Sequence, residues 1–176
     1  MKYHVKTKEA FNVIGLELKT TSQRAEVEVG QLWHKFIAEN TPDQIPNTTH
    51  IEPVALYYDY GGQGMCCSMG PDSYAILLGC KVANLDQIPV GMTGKAVPEQ
   101  KYAVFTITGK VPESIIQAWQ EINALGLNRS MLYDFEDYKY IQEPMVVHDV
   151  RLGTSLTETF EEPITEVDIY VGIKEK

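Results

Sequence analysis

The chain has few cysteines and no long apolar run. Its three cysteines, Cys66, Cys67 and Cys80, are an odd number and two are adjacent, which indicates reduced thiols rather than a disulfide framework. No apolar stretch approaches the ~20 residues of a membrane span, and the amino terminus lacks the apolar core of a secretory signal. We therefore expect a cytoplasmic protein that does not associate with membranes.

Basic residues are also scarce. Fifteen Lys and Arg stand against twenty-four Asp and Glu, which gives a net charge of −9. A nucleic-acid-binding protein ordinarily presents a basic face, so we expect no direct nucleic-acid binding and no helix-turn-helix segment in this chain. The acidic balance favours cationic partners instead.

The usual signatures of metal and nucleophile chemistry are missing. The four histidines show no paired spacing such as H-E-x-x-H, and no C-x-x-C occurs, so we expect no metal site and no cofactor. The GGQG segment at 61–64 lacks the Lys-Ser/Thr of a phosphate loop, and G-x-S-x-G is absent. Cys66 and Cys67 have no recognisable base beside them for nucleophilic catalysis.

The sequence predicts the same order of secondary-structure elements twice: strand, helix, strand, strand. Apolar periodicity predicts strands over 11–18, 51–60 and 74–82 with a helix over 23–39, and then strands over 102–109, 132–141 and 167–173 with a helix that begins near Pro112 and ends at Gly126. A single strand-helix-strand-strand unit would leave a sheet edge and an apolar face uncovered, and a second copy covers both.

We therefore predict an α+β fold built from a duplicated β-α-β-β repeat. The prediction is one domain over 1–176, with repeat one about 2–83 and repeat two about 100–174. It has antiparallel sheets, two main helices and a central cleft at a pseudo-twofold axis, where a ligand would bind. Aligning ALYYDY with YDFEDY makes Tyr58 the counterpart of Glu136, and Tyr60 the counterpart of Tyr138.

Glu136 is the candidate centre of that cleft. It lies in an aromatic-rich strand, and Tyr138, two positions on, shares its face. A dry, unpaired carboxylate is costly, whereas a carboxylate among aromatic rings suits a planar or lipophilic cation. The strand pattern leaves a second interpretation open, in which DFEDY is a half-exposed edge strand whose acidic side chains face water.

Other aromatic residues have two possible roles as well. Tyr58 and Tyr60 either project into the cleft with Glu136 or form ordinary cross-strand pairs. Tyr170 is predicted on the strand face opposite the apolar residues of 167–171, and is a candidate for the cleft. Trp33 and Trp119 hold equivalent helix positions and either pack helix to sheet or line the pocket; Trp119, in the half that contains Glu136, is the better pocket candidate.

Several motifs together resemble a known family. They are F-x-V-x-G at 11–15, LW at 32–33, YAVF-T-x-x-G at 102–109, the helix with Trp119, DFEDY at 134–138 and the terminal VDIYVGI. In this order they resemble the GyrI-like small-molecule-binding domain, the effector-binding domain of AraC-type and MerR-type multidrug regulators. The resemblance implies that Glu136 lies at the bottom of the cleft. Asp137 departs from the basic residue frequent in the family, and Gly172 from a frequent Pro.

The resemblance implies a stand-alone protein that binds small cationic or amphipathic molecules, for sensing or sequestration, together with a partner regulator protein. It is expected not to be an enzyme. Two alternatives remain: a hydrolase of electrophilic compounds, in which Glu136 activates water and Tyr138 assists, or a protein-binding inhibitor. The predicted ligand-binding residues are Glu136, Tyr138, Tyr58, Tyr60, Tyr170 and Trp119.

Overall fold

The computed structural model describes residues 1–61, 72–141 and 164–174. These ranges contain eight strands and three helices in the order β1 (His4–Lys8), β2 (Phe11–Thr21), α1 (Ala25–Ala38), α2 (Thr41–Gln44), β3 (Val54–Gly61), β4 (Ser73–Val82), β5 (Thr93–Val97), β6 (Gln100–Lys110), α3 (Glu113–Ala124), β7 (Asp134–Ile141) and β8 (Ile164–Gly172). All their ladders are antiparallel.

The predicted helices form because each buries one apolar stripe. Leu32 and Phe36, one turn apart, are the buried side chains of α1, and Ile115, Ala118 and Ile122 are those of α3. The predicted stop of the second helix is confirmed: Gly126 follows the C-cap residue with a φ of 64°, the left-handed conformation that glycine tolerates best.

The strands form one continuous sheet, in the order β1-β6-β8-β7-β3-β4-β2-β5, where the prediction had separate sheets. Each half has the same internal order, β2-β4-β3 in the first and β6-β8-β7 in the second, and the β3–β7 ladder joins them. The duplicated strand-helix-strand-strand order is thereby confirmed. The domain and repeat boundaries stay a prediction.

The two short strands β1 and β5 exchange partners between the halves. The strand β1 precedes β2 in the chain but pairs with β6, whereas β5 precedes β6 and pairs with β2. The registers match as well. The first residue of each short strand, His4 or Thr93, pairs with the fifth residue of its long partner strand, Val104 or Gly15. Each half therefore supplies the strand that covers the outer edge of the other half.

The two faces of the sheet carry separate apolar clusters. The helix-covered face includes the buried residues of α1 and α3, packed on strand residues such as Ile14, Ile76 and Ile169. The opposite face is rich in aromatic side chains, among them Tyr58, Tyr102, Phe135 and Tyr170. Because side chains alternate along a strand, Phe135 of β7 belongs to the aromatic-rich cluster and Tyr138, three residues later, to the helix-covered one.

Within the described ranges, each helix is too short or too polar to cross a lipid bilayer.

Candidate functional site

Glu136 lies in the middle of β7 on the helix-covered face. Its neighbours in the sheet are Ala55 of β3 and Ile169 of β8, and its own exposure is 1%. The alternative in which DFEDY forms a solvent-facing edge strand is wrong for this residue, because β7 is an interior strand with a partner on each side.

Three neutral donors hold the carboxylate. The Tyr57 hydroxyl donates to Oε1 at 2.8 Å, the Trp119 indole N–H donates to the same oxygen at 2.6 Å, and the Tyr138 hydroxyl donates to Oε2 at 2.8 Å. Burial raises the pKa of Glu136, and the three hydrogen bonds oppose that rise because they favour the charged form. Burial also raises the pKa of Tyr57 and of Tyr138, so both phenols remain protonated donors.

Aromatic rings enclose this group from both halves. Trp33 of α1 packs edge-on against Tyr138 with ring centroids 4.9 Å apart, and Trp119 of α3 packs in the same way against Tyr57 at 5.6 Å. Each helix thus supplies a tryptophan that contacts a tyrosine of the other half. The ring of Tyr74, on β4, lies 5.7 Å from that of Tyr57. We call this set the aromatic cage; it consists of Trp33, Tyr57, Tyr74, Trp119 and Tyr138 around Glu136.

The predicted site residues divide into two groups. Tyr138 and Trp119 contact Glu136 directly. Tyr58 is on the opposite face and donates its hydroxyl to Glu17, and Tyr170 is on that face too, stacked on Phe135 at 4.2 Å. The prediction that these two tyrosines share one cleft with Glu136 is wrong.

Tyr60 is also separated from the carboxylate of Glu136. A register shift follows Tyr58 in the β3–β4 ladder, and Asp59 has a φ of 51°. Beyond this irregularity the Tyr60 hydroxyl donates to Asp134 rather than to Glu136. The ring of Tyr60 nevertheless lies 6.5 Å from that of Tyr74 in the aromatic cage. The prediction that Tyr60 projects toward the cleft of Glu136 is therefore correct for the face of the sheet, although its hydroxyl bonds Asp134.

The correspondence between the halves explains these corrections. β3 pairs with β4 as β7 pairs with β8. Trp119 contacts Tyr57 as Trp33 contacts Tyr138, which makes Tyr57 the counterpart of Tyr138 and therefore Ala55 the counterpart of Glu136. The predicted counterparts, Tyr58 and Tyr60, are therefore incorrect. Tyr57 and Tyr74 are the cage residues that the sequence pattern did not single out, although Tyr57 lies in the same tyrosine run.

Gly172 and Asp137, the two residues that depart from the family pattern, each interact with a charged side chain. Gly172 donates its backbone N–H to the fully buried carboxylate of Asp134 at 2.6 Å, a bond that proline could not make. Arg129 pairs with the same carboxylate. Asp137 forms an ion pair with Lys81 at 2.6 Å, so its charge is neutralised locally instead of adding to that of Glu136.

Among the described residues, no group of three or more His, Cys, Asp or Glu is arranged to hold a metal ion. Cys80 is buried, and burial raises the pKa of its thiol to about 11. Cys66, Cys67, His148 and most of the GGQG segment lie outside the described residues.

Comparisons with known proteins agree on one type of domain. Residues 4–173 match the family described as Cass2, integron-associated effector binding protein. The transcriptional regulator BrlR of Pseudomonas aeruginosa is 28% identical over 98% of this chain, and the chain spans 56% of that regulator's length. The predicted resemblance to an effector-binding domain of the GyrI-like type is confirmed.

Two solved structures show the same fold. SAV2435 bound to tetraphenylphosphonium aligns with a TM-score of 0.69 and 15% identity, over 99% of this chain and 94% of that one. An integron cassette protein from the mobile metagenome of Vibrio cholerae aligns with a TM-score of 0.64 and 20% identity, over 96% of this chain and 95% of that one.

Proposed function

We propose that this chain, which belongs to the Cass2 family of integron-associated effector binding proteins, binds small lipophilic cations in the aromatic cage. The observation that carries the proposal is the Glu136 carboxylate, 1% exposed and held by three neutral donors. Further support is that SAV2435, which has a similar fold, binds tetraphenylphosphonium, an aromatic cation of the proposed class.

Electrostatics favour a cation at this position. A buried carboxylate without a counter-ion is costly, and the hydrogen bonds from Tyr57, Trp119 and Tyr138 supply no positive charge. A bound monocation would neutralise the carboxylate. Each aromatic face would attract it by a further ~0.5–2 kcal/mol through the ring quadrupole.

Entry of a ligand requires one of the aromatic side chains to move, because Glu136 is almost completely covered. Trp33 and Trp119 are both partly exposed and lie on helices rather than within the sheet. Trp119 is the better candidate, since its indole itself covers Oε1 of Glu136. Displacing its indole removes one of the two hydrogen bonds on Oε1 and leaves that of Tyr57. Tyr57 and Tyr138 would then keep the carboxylate oriented toward the incoming charge.

The test uses two probes of equal shape and opposite charge. Isothermal titration of tetraphenylphosphonium should show binding to the wild type. Tetraphenylborate should not bind in the aromatic cage, so its titration should be the same for the wild type and Glu136→Gln. Glu136→Gln should weaken tetraphenylphosphonium binding by about tenfold to a hundredfold, the scale of a lost charged hydrogen bond. Equal affinity of both proteins for the cation would refute the proposal.

The same site favours binding over hydrolysis. Glu136 and Tyr138 are 1% and 4% exposed, so neither meets bulk water, and the raised pKa of Tyr138 makes its phenol a poor proton donor to a leaving group. Mass spectrometry of the recovered ligand should show the compound unchanged. A product heavier by one water would favour the hydrolase alternative.

We further propose that binding serves sensing or sequestration, in conjunction with a regulator protein. The support is that the relative BrlR is a transcriptional regulator of which this chain matches about half. The acidic net charge supports the prediction that the chain itself does not bind DNA.

A further inference from the structure

A second concave surface meets the aromatic cage at Tyr138, which also lines this surface. A cavity of about 690 Å³ opens where β1 and its connection to β2 meet the ends of β4 and β7. Four of the chain's fifteen basic residues line it, although the protein carries a net charge of −9. We call it the lysine cavity; its basic residues are Lys6, Lys8, Lys81 and Lys139.

Lys8 differs from Lys81 and Lys139, each of which is held at this cavity by an ion pair. Asp137 pairs with Lys81 at 2.6 Å, and Asp168 pairs with Lys139 at 2.7 Å. The half-buried ammonium of Lys8 makes no ion pair with any carboxylate of the described residues. It lies over three aromatic rings instead, 5.5 Å from the centroid of Phe11 and 5.5 Å from that of Tyr170, with Phe135 at 5.9 Å.

This arrangement leaves the Lys8 ammonium without a carboxylate of the described residues at contact distance. Burial and the charge of Lys81 lower the pKa of Lys8, against an opposing contribution from Asp137. Aromatic rings compensate a buried ammonium by about 0.5–2 kcal/mol each, less than a hydrogen-bonded anion does. The cavity therefore has an apolar wall at Phe11 beside an ammonium that an anion would stabilise.

We propose that the lysine cavity binds a small organic monoanion with a flat apolar body. Its anionic group would lie on Nζ of Lys8, and its body would pack against Phe11. The volume lies within the range typical of small-molecule sites. Glu9, Glu52 and Asp137 also line the cavity, and their charges disfavour a ligand with several negative groups.

The experiment compares two probes that differ in charge. Isothermal titration of 2-naphthoate should show binding to the wild type, whereas the uncharged 2-naphthamide should bind at least about tenfold more weakly. Lys8→Met should weaken 2-naphthoate binding by about tenfold or more and leave 2-naphthamide binding unchanged. Lys8→Arg keeps the charge and should retain binding of the anion.

Two matched variants separate this proposal from its rivals. Lys35→Met removes the same charge from an exposed position on α1 and should leave 2-naphthoate affinity within about twofold, since the effect of a remote exposed charge is screened. Glu136→Gln should leave it unchanged too, because Glu136 is not among the residues that line the lysine cavity. If 2-naphthoate does not bind at about 1 mM, or binds equally to wild type and Lys8→Met, then Lys8 only caps the aromatic cluster and the proposal fails.

Discussion

Ala55 and Glu136 face each other across the ladder between β3 and β7, and each is the counterpart of the other in the two halves. One half therefore contributes a methyl group and the other a carboxylate to the place where the halves meet. Two glutamates here would be like charges directly opposite each other in a buried antiparallel pair, which is destabilising. This asymmetry gives the aromatic cage a single acidic centre.

Ala55→Glu should destabilise the fold by on the order of 3–5 kcal/mol, because it places a second buried charge and extra volume beside Glu136. The exchange variant Ala55→Glu with Glu136→Ala should recover most of that loss, since Tyr57, Tyr138 and Trp33 stand where the symmetry-related donors are needed. Urea denaturation at neutral pH measures both. If the exchange variant is no more stable than Ala55→Glu alone, the equivalence of the halves does not extend to this site.

Glu136→Gln should fold and, at neutral pH, be at least as stable as the wild type. The amide oxygen can accept from Tyr57 and Trp119, which share Oε1, and the amide nitrogen can donate to Tyr138 once that hydroxyl turns. Substitution also removes a desolvated charge. Urea denaturation of both proteins measures the difference, and a clear loss in the variant would show that the carboxylate itself stabilises the fold.

The stability difference between these two proteins should depend on pH. Because the folded-state pKa of Glu136 is raised, the folded wild type binds more protons than the unfolded chain above the unfolded pKa of ~4.3. Wild-type stability relative to Glu136→Gln should therefore fall as pH rises from ~4.3 through the folded pKa, and then level off. Denaturation curves at several pH values check this; a constant difference would show that the pKa is not raised.

Tyr57→Phe and Tyr138→Phe should have similar effects, because each removes one 2.8 Å hydrogen bond from Glu136. Each should cost about 1.5–3 kcal/mol of folding free energy, the scale of a hydrogen bond to a charged group, and each should raise the pKa of Glu136 further. Carbon-13 NMR titration of the carboxyl group measures the pKa. Tyr74→Phe is the control. Burial and the charge of Glu136 raise the pKa of Tyr74 to about 12, but no hydrogen bond to that carboxylate contributes. A larger change in the control would contradict the assignment of the donors.

Gly172→Pro should be more destabilising than Gly172→Ala by about 1.5–3 kcal/mol. Both variants add a Cβ that would lie 2.7 Å from the Tyr133 carbonyl oxygen, but only proline also removes the N–H that Asp134 accepts. Gly30→Ala is the matched control: its Cβ meets open space on α1, so it should stabilise by about 0.5–1 kcal/mol. Thermal and urea unfolding report all three. Equal losses for Pro and Ala would mean that the bond to Asp134 contributes nothing.

The sequence by itself determined the elements whose burial is periodic. The stripes of α1 and α3, and the apolar runs of the six longer strands, are local patterns that bury one face wherever the chain folds. The same alternation placed Glu136 and Tyr138 on one face. The short edge strands β1 and β5 were missed because five mostly exposed or half-exposed residues carry no apolar stripe.

Only the tertiary structure decided which tyrosines meet Glu136. Tyr57 and Tyr58 are adjacent in the chain, and an alignment of the halves that is wrong by an odd number of residues moves the chosen side chain to the other face of the sheet. The pairing of Ala55 with Glu136, and the irregularity after Tyr58, arise from contacts between strands far apart in the chain. Those contacts depend on how the two halves join, which no local pattern records.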